Sequence, residues 1–493
     1  MITNQRVRRT LLAAVLGGAA LLAGTSAQAD VKLPAVLADH MVLQQGMAVP
    51  VWGTADAGED VTVTFGQQKQ EAKADDKGHW EVKLTPLTAS DKPETLTVSG
   101  KNKVELSDIL VGEVWICSGQ SNMEFGIKNA TNGAKEVEEA DHPLIRLFTV
   151  PKSVQETPQS DLKKQPPGGE WLTCSPNTVG EGGWGGFTAA GYFFGRDLQK
   201  DLKVPVGLIH TSWGGTPAEA WTEKSYMESD PDLKPIVERL EKSKKPDQNS
   251  ASTLYNGMIA PIVPFAARGA IWYQGESNAG RAWQYRKLLP AMIKSWRDVW
   301  HEPDMDFYIV SLANFQNPPK DPGESNWAEL REAQAYTAAQ PHNGQALAID
   351  LADAKNPGDI HPKDKQDVGH RLELVALAKT YGKNVEYSGP VYKDSKTEGD
   401  KVTIHFNFAD GLTAKGGDEA KGFQIAGEDK KWHWADAKID GSDVIVSSKE
   451  VEKPAAVRYD WANNPQGNLY NKAGLPTAPF RTDDWPATTL NSK

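Results

Sequence analysis

Between residues 108 and 381, short apolar runs typical of strands alternate with longer runs typical of helices, and this alternation narrows the possible folds most. Strands linked through helices run parallel, with the helices packed on both faces of the sheet. The central part of the chain is therefore predicted to be an α/β domain. The predicted strands are 109–116, 204–209, 267–273, 306–312 and 345–351, and the predicted helices are 187–202, 283–300, 327–339 and 362–381.

The segments on either side of this region have strand patterns only. Short β-branched or alternating runs are separated by turns rich in Gly and Asp, which is typical of small β-sandwiches. We therefore predict an N-terminal β-sandwich-like domain over 30–107, an α/β domain over 108–386 and a C-terminal β-rich domain, sandwich- or jelly-roll-like, over 387–493. The runs that support the two flanking domains are 49–52, 61–65, 80–84, 95–98, 401–406, 422–425, 443–446 and 456–459.

The first 29 residues have the pattern of a secretory signal peptide. Arg8 and Arg9 precede an apolar run over 11–23, and the small residues Ala27 and Ala29 mark a cleavage site. That run is shorter than the roughly 20 residues that span a bilayer. We predict cleavage after Ala29 and export of the mature protein to the periplasm or out of the cell.

The 493-residue chain carries a formal net charge of −11. Nucleic acids and anionic membrane surfaces are bound by basic faces, so neither is an expected partner. After the signal segment no stretch approaches the length of apolar sequence that spans a membrane. These properties favour a neutral or weakly charged substrate, and they do not indicate an oligomeric state.

The two cysteines, Cys117 and Cys174, point neither to catalysis nor to a metal. In an oxidising compartment they could form a disulfide, and two buried free thiols are an equal alternative. Cys117 lies in an apolar strand, where it would be a small core residue. No cluster of His, Cys and Asp has metal-ligand spacing, so neither a metal nor another cofactor is predicted.

Four polar clusters are predicted to meet at one edge of the sheet. Three follow predicted strands, at 119–122, 210–216 and 274–278, and the fourth precedes the last helix, at 359–362. Ligands of open α/β sheets lie outside the carboxyl ends of the strands. Each cluster alone could be a tight loop with a helix cap, but four at one edge indicate a functional site.

Ser121 and His361 are the candidates for covalent catalysis in these clusters. Ser121 lies at a strand-to-helix turn where Gly119 permits a sharp bend, and His361 follows an Asp at the start of a helix. A serine nucleophile needs a base for its proton and donors for the developing oxyanion. His210, at the end of the second strand, is the main competitor of His361 for the role of base.

These residues resemble a known family, the sialate O-acetylesterases, a branch of the SGNH hydrolases. The run GEVWICSGQSNME over 112–124 is similar to the first block of that family. WGGT over 213–216, WYQGESN over 272–278 and DIHPK over 359–363 are similar to later blocks, in the same order. The opening DHMVLQ over 39–44 is also similar, so the resemblance covers nearly the whole mature chain.

The resemblance implies the roles of the site residues. Ser121 would be the nucleophile and His361 the general base, and later the acid that protonates the leaving sugar. The oxyanion hole would use the backbone N–H groups of Ser121 and Gly215 together with a side-chain amide, from Gln274 first or Asn278 second.

The family's orienting Asp lies three residues before the His, but here that position is Gly358. The expected acid is therefore Asp359, two residues before His361, with Asp353 or Glu276 as alternatives.

Aromatic and basic residues near the blocks could contact a sugar. Trp213, Trp272 and Trp283 are candidates for stacking on a ring. Arg281 and Arg286 could meet a substrate carboxylate, although a salt bridge with a nearby carboxylate is the commoner fate of such residues.

The resemblance implies a carboxylic ester hydrolase, an O-acetylesterase that acts on acetylated carbohydrate. The substrate would be a plant polysaccharide such as xyloglucan or xylan, or O-acetylated sialic acid, and exported bacterial relatives favour the polysaccharide. Two other classes stay open: a lipase- or thioesterase-like enzyme with the same triad, and a non-catalytic carbohydrate-binding protein that uses the β regions.

Overall fold

The computed structural model describes residues 30–163, 165, 168–242 and 245–492. The predicted signal peptide, residues 1–29, lies outside the described residues. The α/β prediction with β-rich flanks is confirmed: a mainly parallel sheet lies between two antiparallel β regions. None of the helices in the described part of the chain combines the length and the apolar character of a membrane span.

The N-terminal region is built from strands whose side chains alternate between core and solvent. Inward-facing residues such as Val61, Val63 and Phe65 are buried, while their neighbours are partly exposed, as the two-residue period of a strand requires. The strands are β1 (Val42–Gln44), β2 (Val49–Thr54), β3 (Asp60–Phe65), β4 (Gln68–Lys73), β5 (His79–Leu84), β6 (Ser90–Ser99) and β7 (Lys103–Gly119).

Strand β7 crosses the predicted domain boundary at residues 107 and 108. Its first part pairs with β6 of the N-terminal region, and its second part pairs with two strands of the parallel sheet. The second part is buried along its whole length, because both faces of the sheet are covered there. The chain therefore passes between the two regions within one strand, without a linker.

The parallel sheet places β7 at its centre. The strand order is β13-β12-β11-β7-β10-β8-β9, and only β9 is antiparallel to its neighbour. The strands that follow β7 are β8 (His142–Thr149), β9 (Trp171–Cys174), β10 (Val206–Ser212), β11 (Gly269–Tyr273), β12 (Asp306–Val310) and β13 (Asn343–Ala346). The connecting helices are α1 (Ser121–Glu124), α2 (Gly133–Glu138), α3 (Pro176–Val179), α4 (Ala189–Leu202), α5 (Lys224–Glu228), α6 (Lys234–Lys242), α7 (Ala282–Trp300), α8 (Asn326–Ala338) and α9 (Lys365–Lys379).

Two hydrophobic cores lie on opposite faces of this sheet. Consecutive residues of β7 point to opposite sides, so Ile116 packs with α7 and α8 while Trp115 and Cys117 pack with α4 and α9. Cys117 and Cys174 are buried free thiols and do not form a disulfide. Burial raises the pKa of Cys174 to about 12, so it is an unreactive core residue.

The last helix begins later than predicted. Pro362 was placed in its first turn, which is wrong: α9 starts at Lys365, because the Asp364 side chain accepts the backbone N–H of Asp367 and caps the helix there. The second strand also differs, since β10 continues through His210 to Ser212. His210 is therefore a buried strand residue and not part of the loop.

The C-terminal region consists of small antiparallel sheets around its own core. Val402, Ile404, Phe423 and Val457 are among the buried residues of that core. The strands are β14 (Val391–Glu398), β15 (Lys401–Asn407), β16 (Thr413–Ala414), β17 (Phe423–Ala426), β18 (Trp432–Trp434), β19 (Asp436–Asp440), β20 (Asp443–Ser447), β21 (Ala456–Tyr459), β22 (Leu469–Tyr470) and β23 (Phe480–Arg481).

Candidate active site

The central strands bring three of the four polar clusters together. Strands β11, β7 and β10 are neighbours and parallel, and Gly119 at the end of β7 is in register with Ser212 and Tyr273. The loops that follow these three strands therefore start side by side at the carboxyl edge of the sheet.

The sharp turn before Ser121 requires glycine. Gly119 has a φ of +140°, and a Cβ atom there would lie 2.2 Å from the backbone oxygen of Tyr273. The chain can turn there only because the position carries no side chain. The Gln120 N–H donates to the same Tyr273 oxygen at 3.0 Å, which fixes the turn against β11. Ser121 then begins α1, partly exposed at the sheet edge.

The loop before α9 brings His361 to Ser121. His361 Nε2 lies 2.9 Å from Ser121 Oγ, within hydrogen-bonding distance. On the other side of the ring, Nδ1 lies 3.3 Å from Asp359 Oδ1. The same carboxylate accepts the backbone N–H of His361 at 3.0 Å, so it fixes both the loop and the ring. Ser121, His361 and Asp359 thus form a continuous chain of polar contacts.

The two alternatives to Asp359 are engaged elsewhere. Asp353 is exposed, and its carboxylate accepts the backbone N–H of Lys355 in a local turn. Glu276 is half-buried, and its Oε1 accepts a hydrogen bond from the Asn122 amide at 2.7 Å. Among the three candidates, Asp359 alone is described in contact with the His361 ring.

A buried polar chain lies beside Ser121 and the His361 loop. The Asn122 amide donates to Glu276 at 2.7 Å and to the backbone oxygen of Ile360 at 3.0 Å, and its carbonyl accepts from Lys365 Nζ at 2.6 Å. Asn122 thus ties the turn after β7 to the loop that carries His361. Burial lowers the pKa of Lys365 to about 7 and raises the pKa of Glu276.

The environment of His361 favours its neutral form. Burial lowers the pKa of His361 below its ordinary value, the charge of Lys365 lowers it further, and Asp359 opposes both effects. A neutral imidazole can accept the proton of Ser121. His210, the competing base, is buried against Ser212, where burial and the charge of Lys152 lower its pKa to about 3.

The loop after β10 passes close to Ser121. A Cβ atom on Gly214 would lie 3.3 Å from Ser121 Cβ, and Gly215 has a φ of +77° that favours glycine. The Gly214 N–H donates to the Glu124 carboxylate at 2.6 Å, and Ser277 Oγ donates to the Gly215 oxygen at 2.9 Å. The backbone N–H groups of Gly215 and Ser121 have no hydrogen-bond partner among the described residues.

The geometry does not fit the expected side-chain donors, Gln274 and Asn278. Both are fully buried, and the two hydrogens of the Gln274 amide go to the oxygens of Thr216 and Asn278, at 3.2 and 2.7 Å. The Asn278 amide donates to Glu219 at 2.8 Å. These side chains hold the loops after β10 and β11 together, so Gln274 has no hydrogen left for an oxyanion.

Gln120 is a further side-chain amide next to Ser121, and it was not predicted as a donor from the sequence. Its carbonyl accepts the backbone N–H groups of Gly275 and Ser277 at 3.4 and 3.3 Å, which fixes the orientation of the amide. Its Nε2 has no hydrogen-bond partner among the described residues. The only hint in the sequence was that Gln120 directly precedes Ser121.

The tryptophans that were candidates for contact with a sugar differ in their exposure. Trp272 is fully buried between other core tryptophans, so its predicted contact with a sugar is wrong. Trp213 is partly buried beneath the Lys152 ammonium, and Trp283 is exposed beside Arg286.

The arginines have protein partners. Arg281 pairs with Glu219 at 2.5 Å, and Arg286 lies 3.5 Å from Glu332. Across the described residues, no group of three His, Cys, Asp or Glu side chains is arranged to hold a metal ion.

Comparison with known proteins identifies the family. The family model described as carbohydrate esterase, sialic acid-specific acetylesterase, matches residues 111–377, which contain the three central loops and the His361 loop. The chain belongs to this family. The sialate O-acetylesterase of Rattus norvegicus is 30% identical over 90% of this chain and 92% of its own length. The human sialate O-acetylesterase is 29% identical over 96% of this chain and 97% of its own.

A solved structure agrees with the sequence relatives. A carbohydrate acetylesterase from Xanthomonas citri is 40% identical, superposes with a TM-score of 0.83, and covers 92% of this chain and 100% of its own. This esterase therefore shares its fold with an acetylesterase along almost its full length. The family membership makes the chain a carboxylic ester hydrolase of the carbohydrate esterase type.

Proposed function

We propose that this esterase releases acetate from acetylated polysaccharide, such as xyloglucan or xylan, by a serine mechanism with an acetyl-enzyme intermediate. The observation that carries the proposal is the 2.9 Å contact between Ser121 Oγ and His361 Nε2, with Asp359 on the far side of the ring. A hydroxyl, a base and an orienting acid in this order are the requirements of nucleophilic acyl transfer.

In the first half-reaction, Ser121 Oγ attacks the acetyl carbonyl carbon while His361 Nε2 takes the hydroxyl proton. The carbonyl oxygen becomes an oxyanion that accepts hydrogen bonds from the N–H groups of Ser121 and Gly215 and from Gln120 Nε2. Asp359 holds Nδ1–H and stabilises the imidazolium that forms. When the intermediate collapses, the bond to the sugar oxygen breaks and His361 returns its proton to that oxygen.

In the second half-reaction, water replaces the sugar. His361 Nε2 takes a proton from the water as it attacks the acetyl carbon of Ser121, and the same oxyanion donors stabilise the second tetrahedral intermediate. The bond between Ser121 Oγ and the acetyl carbon then breaks, and His361 reprotonates Oγ. Acetate leaves, and Ser121 and His361 return to their starting state.

Two basic side chains near the site are already paired, which supports a neutral sugar over sialic acid, whereas Arg239 lines the cavity next to Gly215 and is placed where a sialate carboxylate could bind it. A sialate carboxylate would be expected to require a cation that is free to bind it. The nearby basic side chains Lys152 and Arg281 are paired with Glu124 and Glu219. The rat and human relatives are sialate O-acetylesterases, so both substrate classes are included in the test.

Two other functions are less well supported. A lipase or thioesterase needs an extended apolar groove for an acyl chain, whereas the cavity next to Glu124 is lined by Lys152, His210 and Ser212 as well as glycines. A non-catalytic carbohydrate-binding protein would not require the Ser121–His361–Asp359 arrangement.

We also propose that the protein is exported by a signal peptide over residues 1–29. The basic residues at its start and the cleavage site at Ala29 support this proposal.

The deciding experiment is acetate release from acetylated xyloglucan, acetylated xylan and O-acetylated sialic acids, each at several concentrations. We expect the highest kcat/KM on one of the two polysaccharides. Preference for sialate would reverse the substrate assignment, and absence of acetate from every carbohydrate, with turnover of a long-chain ester, would favour the lipase alternative.

Replacing Asp359 by asparagine identifies the third catalytic residue. A buried orienting carboxylate is worth about 10⁴-fold in kcat, and we expect about 10³-fold for Asp359→Asn because a third of its side chain is exposed. The matched control is Asp353→Asn in the same loop, which should keep wild-type kcat. A large loss in the Asp353 variant, with little in the Asp359 variant, would reverse the assignment.

Replacing Gln120 by glutamate tests the side-chain oxyanion donor. In its ionised form the new carboxylate can still accept the N–H groups of Gly275 and Ser277, but it has no hydrogen to donate and its charge opposes the oxyanion. We expect kcat to fall by about 10²- to 10³-fold, the effect of one lost oxyanion donor, with a smaller change in KM. An unchanged kcat in steady-state measurements would remove Gln120 from the oxyanion hole.

A further inference from the structure

Trp184 is an exposed aromatic residue that packs against the proposed base. Its ring lies perpendicular to the His361 imidazole with 5.0 Å between centroids, and perpendicular to Phe125 at 5.3 Å. Despite these contacts the residue is 44% exposed. An exposed aromatic ring beside the proposed base is available to contact a bound substrate.

The backbone holds Trp184 in an unfavourable conformation. Trp184 has a φ of +46°, in the left-handed region that bulky residues rarely adopt. The two residues before it and the two residues after it are all glycines. We call residues 182–186 the glycine loop. Strain of this kind persists only where the surroundings enforce it, and it concentrates at ligand-binding and catalytic sites.

The glycine loop is fixed to the segment that follows α1. The Trp184 backbone oxygen accepts from the Asn129 amide at 2.7 Å and from the Gly126 N–H at 3.3 Å, and the Lys128 N–H donates to the Gly185 oxygen at 3.0 Å. The chains approach so closely that a Cβ on Gly126 would lie 2.3 Å from the Gly185 backbone. The exposed indole is therefore presented by a firmly held loop.

The proposed chemistry places a sugar next to this ring. His361 Nε2 must come within about 3 Å of the sugar oxygen that it protonates. The ring that carries this oxygen consequently lies close to the side chains that pack on His361. Phe125 and Trp184 both contact the imidazole, and of these two Trp184 is the one exposed to solvent. Aromatic faces bind the apolar faces of sugar rings, while the hydroxyls around the rim need polar partners.

A cavity that reaches the glycine loop next to Trp184 supplies such partners. It has a volume of about 250 Å³ and is lined by glycines of the glycine loop together with Glu124, Lys152 and Gln165. This volume is slightly below the roughly 300 Å³ at the lower end of small-molecule sites, which suits a single sugar residue. Glu124 also contacts the Gly214 backbone, so the cavity adjoins the loop next to Ser121.

We propose that Trp184 and the adjoining cavity form the subsite for the leaving sugar, with the indole stacking on a neutral pyranose of the polysaccharide. This inference rests on the proposed carbohydrate esterase function and extends it to the residue that selects the sugar. A ring held there keeps the sugar oxygen at His361 Nε2 during both attack and departure.

The test compares two substrates in matched variants. For Trp184→Ala we expect KM on an acetylated xyloglucan oligosaccharide to rise about tenfold or more, the scale of one lost aromatic contact. The loss in kcat/KM on this substrate should exceed the loss on 4-nitrophenyl acetate, which has no sugar, by about tenfold. Trp184→Phe should recover most of the difference, because it keeps an aromatic face. Trp434→Ala is the control, since Trp434 is 43% exposed in the C-terminal region.

Equal losses of kcat/KM on both substrates would overturn the subsite, because Trp184 would then only support His361. Unchanged kinetics on the oligosaccharide would also overturn the subsite.

A binding measurement tests the subsite independently of the esterase function. Calorimetry with the deacetylated oligosaccharide should show weaker binding to Ser121→Ala/Trp184→Ala than to Ser121→Ala. That difference supports the subsite even if no acetylated carbohydrate is hydrolysed, and equal affinities contradict it.

Discussion

The variant Ser121→Ala is expected to lose about 10⁴- to 10⁶-fold in kcat/KM on acetylated carbohydrate, the range seen when a serine nucleophile is removed. The Oγ atom is the only atom of this chain that the proposed mechanism joins covalently to the acetyl group, and no other group can take its place in an acyl-enzyme pathway. The remaining turnover should be that of substrate bound near the oxyanion donors and attacked by water.

The fold of the Ser121→Ala variant should be intact. Ser121 is partly exposed, and Oγ contributes one hydrogen bond, to His361, so the change in the free energy of unfolding should stay within about 1 kcal/mol. Thermal unfolding and acetate release measured on the same samples separate activity from stability. Ser225→Ala, a change at an exposed serine on α5, is the control for both. Retained turnover in a folded Ser121→Ala protein would end the serine mechanism.

The variant His361→Ala is expected to lose nearly as much activity as Ser121→Ala. Without the imidazole, Ser121 keeps its proton near neutral pH, and the leaving sugar oxygen has no acid to protonate it. Because the two residues act as a unit, the double variant should be little worse than either single variant. Losses that multiply in the double variant would show that Ser121 and His361 act independently.

His210 provides the comparison for the base. It is buried and bonded to Ser212 at 2.6 Å, and no contact joins it to Ser121 among the described residues. His210→Asn should therefore stay within about tenfold of wild-type kcat/KM, well short of the loss from removing a general base. A loss in His210→Asn as large as that in His361→Ala would return His210 to the role of base.

The pH dependence of kcat/KM should report His361. The base acts in its neutral form, and burial together with the Lys365 charge lowers the pKa of His361 below its ordinary value near 6.5. Activity should consequently be retained as the pH falls through 6.5 and should decline only below the lowered pKa. An acid limb with its midpoint above pH 7 would contradict this environment.

The periodicity of the sequence was sufficient to predict the α/β sheet and its β-rich flanks. The periodicity of strands and helices is set by residues that are close in sequence. The buried strands β7 and β11 are uninterrupted apolar runs, so they can be recognised from the sequence. The meeting of Ser121 with the later blocks was also predictable, because parallel strands end at one edge. The start of α9 was missed, because capping by Asp364 competed with the helix-initiating preference of Pro362.

The parts of the site that were missed depend on side-chain direction and on distant loops. Gln274 and Gln120 are both glutamines next to glycines, and only the hydrogen bonds made by each amide show which has a free N–H group. Trp184 lies far from every block in sequence, and it reaches His361 through the turns of the glycine loop. Such contacts form in tertiary structure and leave no periodic signal.

The single strand β7 has a consequence for how this enzyme can be divided or engineered. The residues that pair with β6 and the residues that end at the Ser121 turn belong to one hydrogen-bonded strand. A shortened protein that starts near residue 108 would lack β6 and the first residues of β7. It would leave an unpaired edge on β7 and remove the pairing that holds the end of this strand opposite to Ser121. The N-terminal β region therefore helps to hold the strand that ends at the Ser121 turn, and we expect that exchanging this region between relatives alters catalysis as well as solubility.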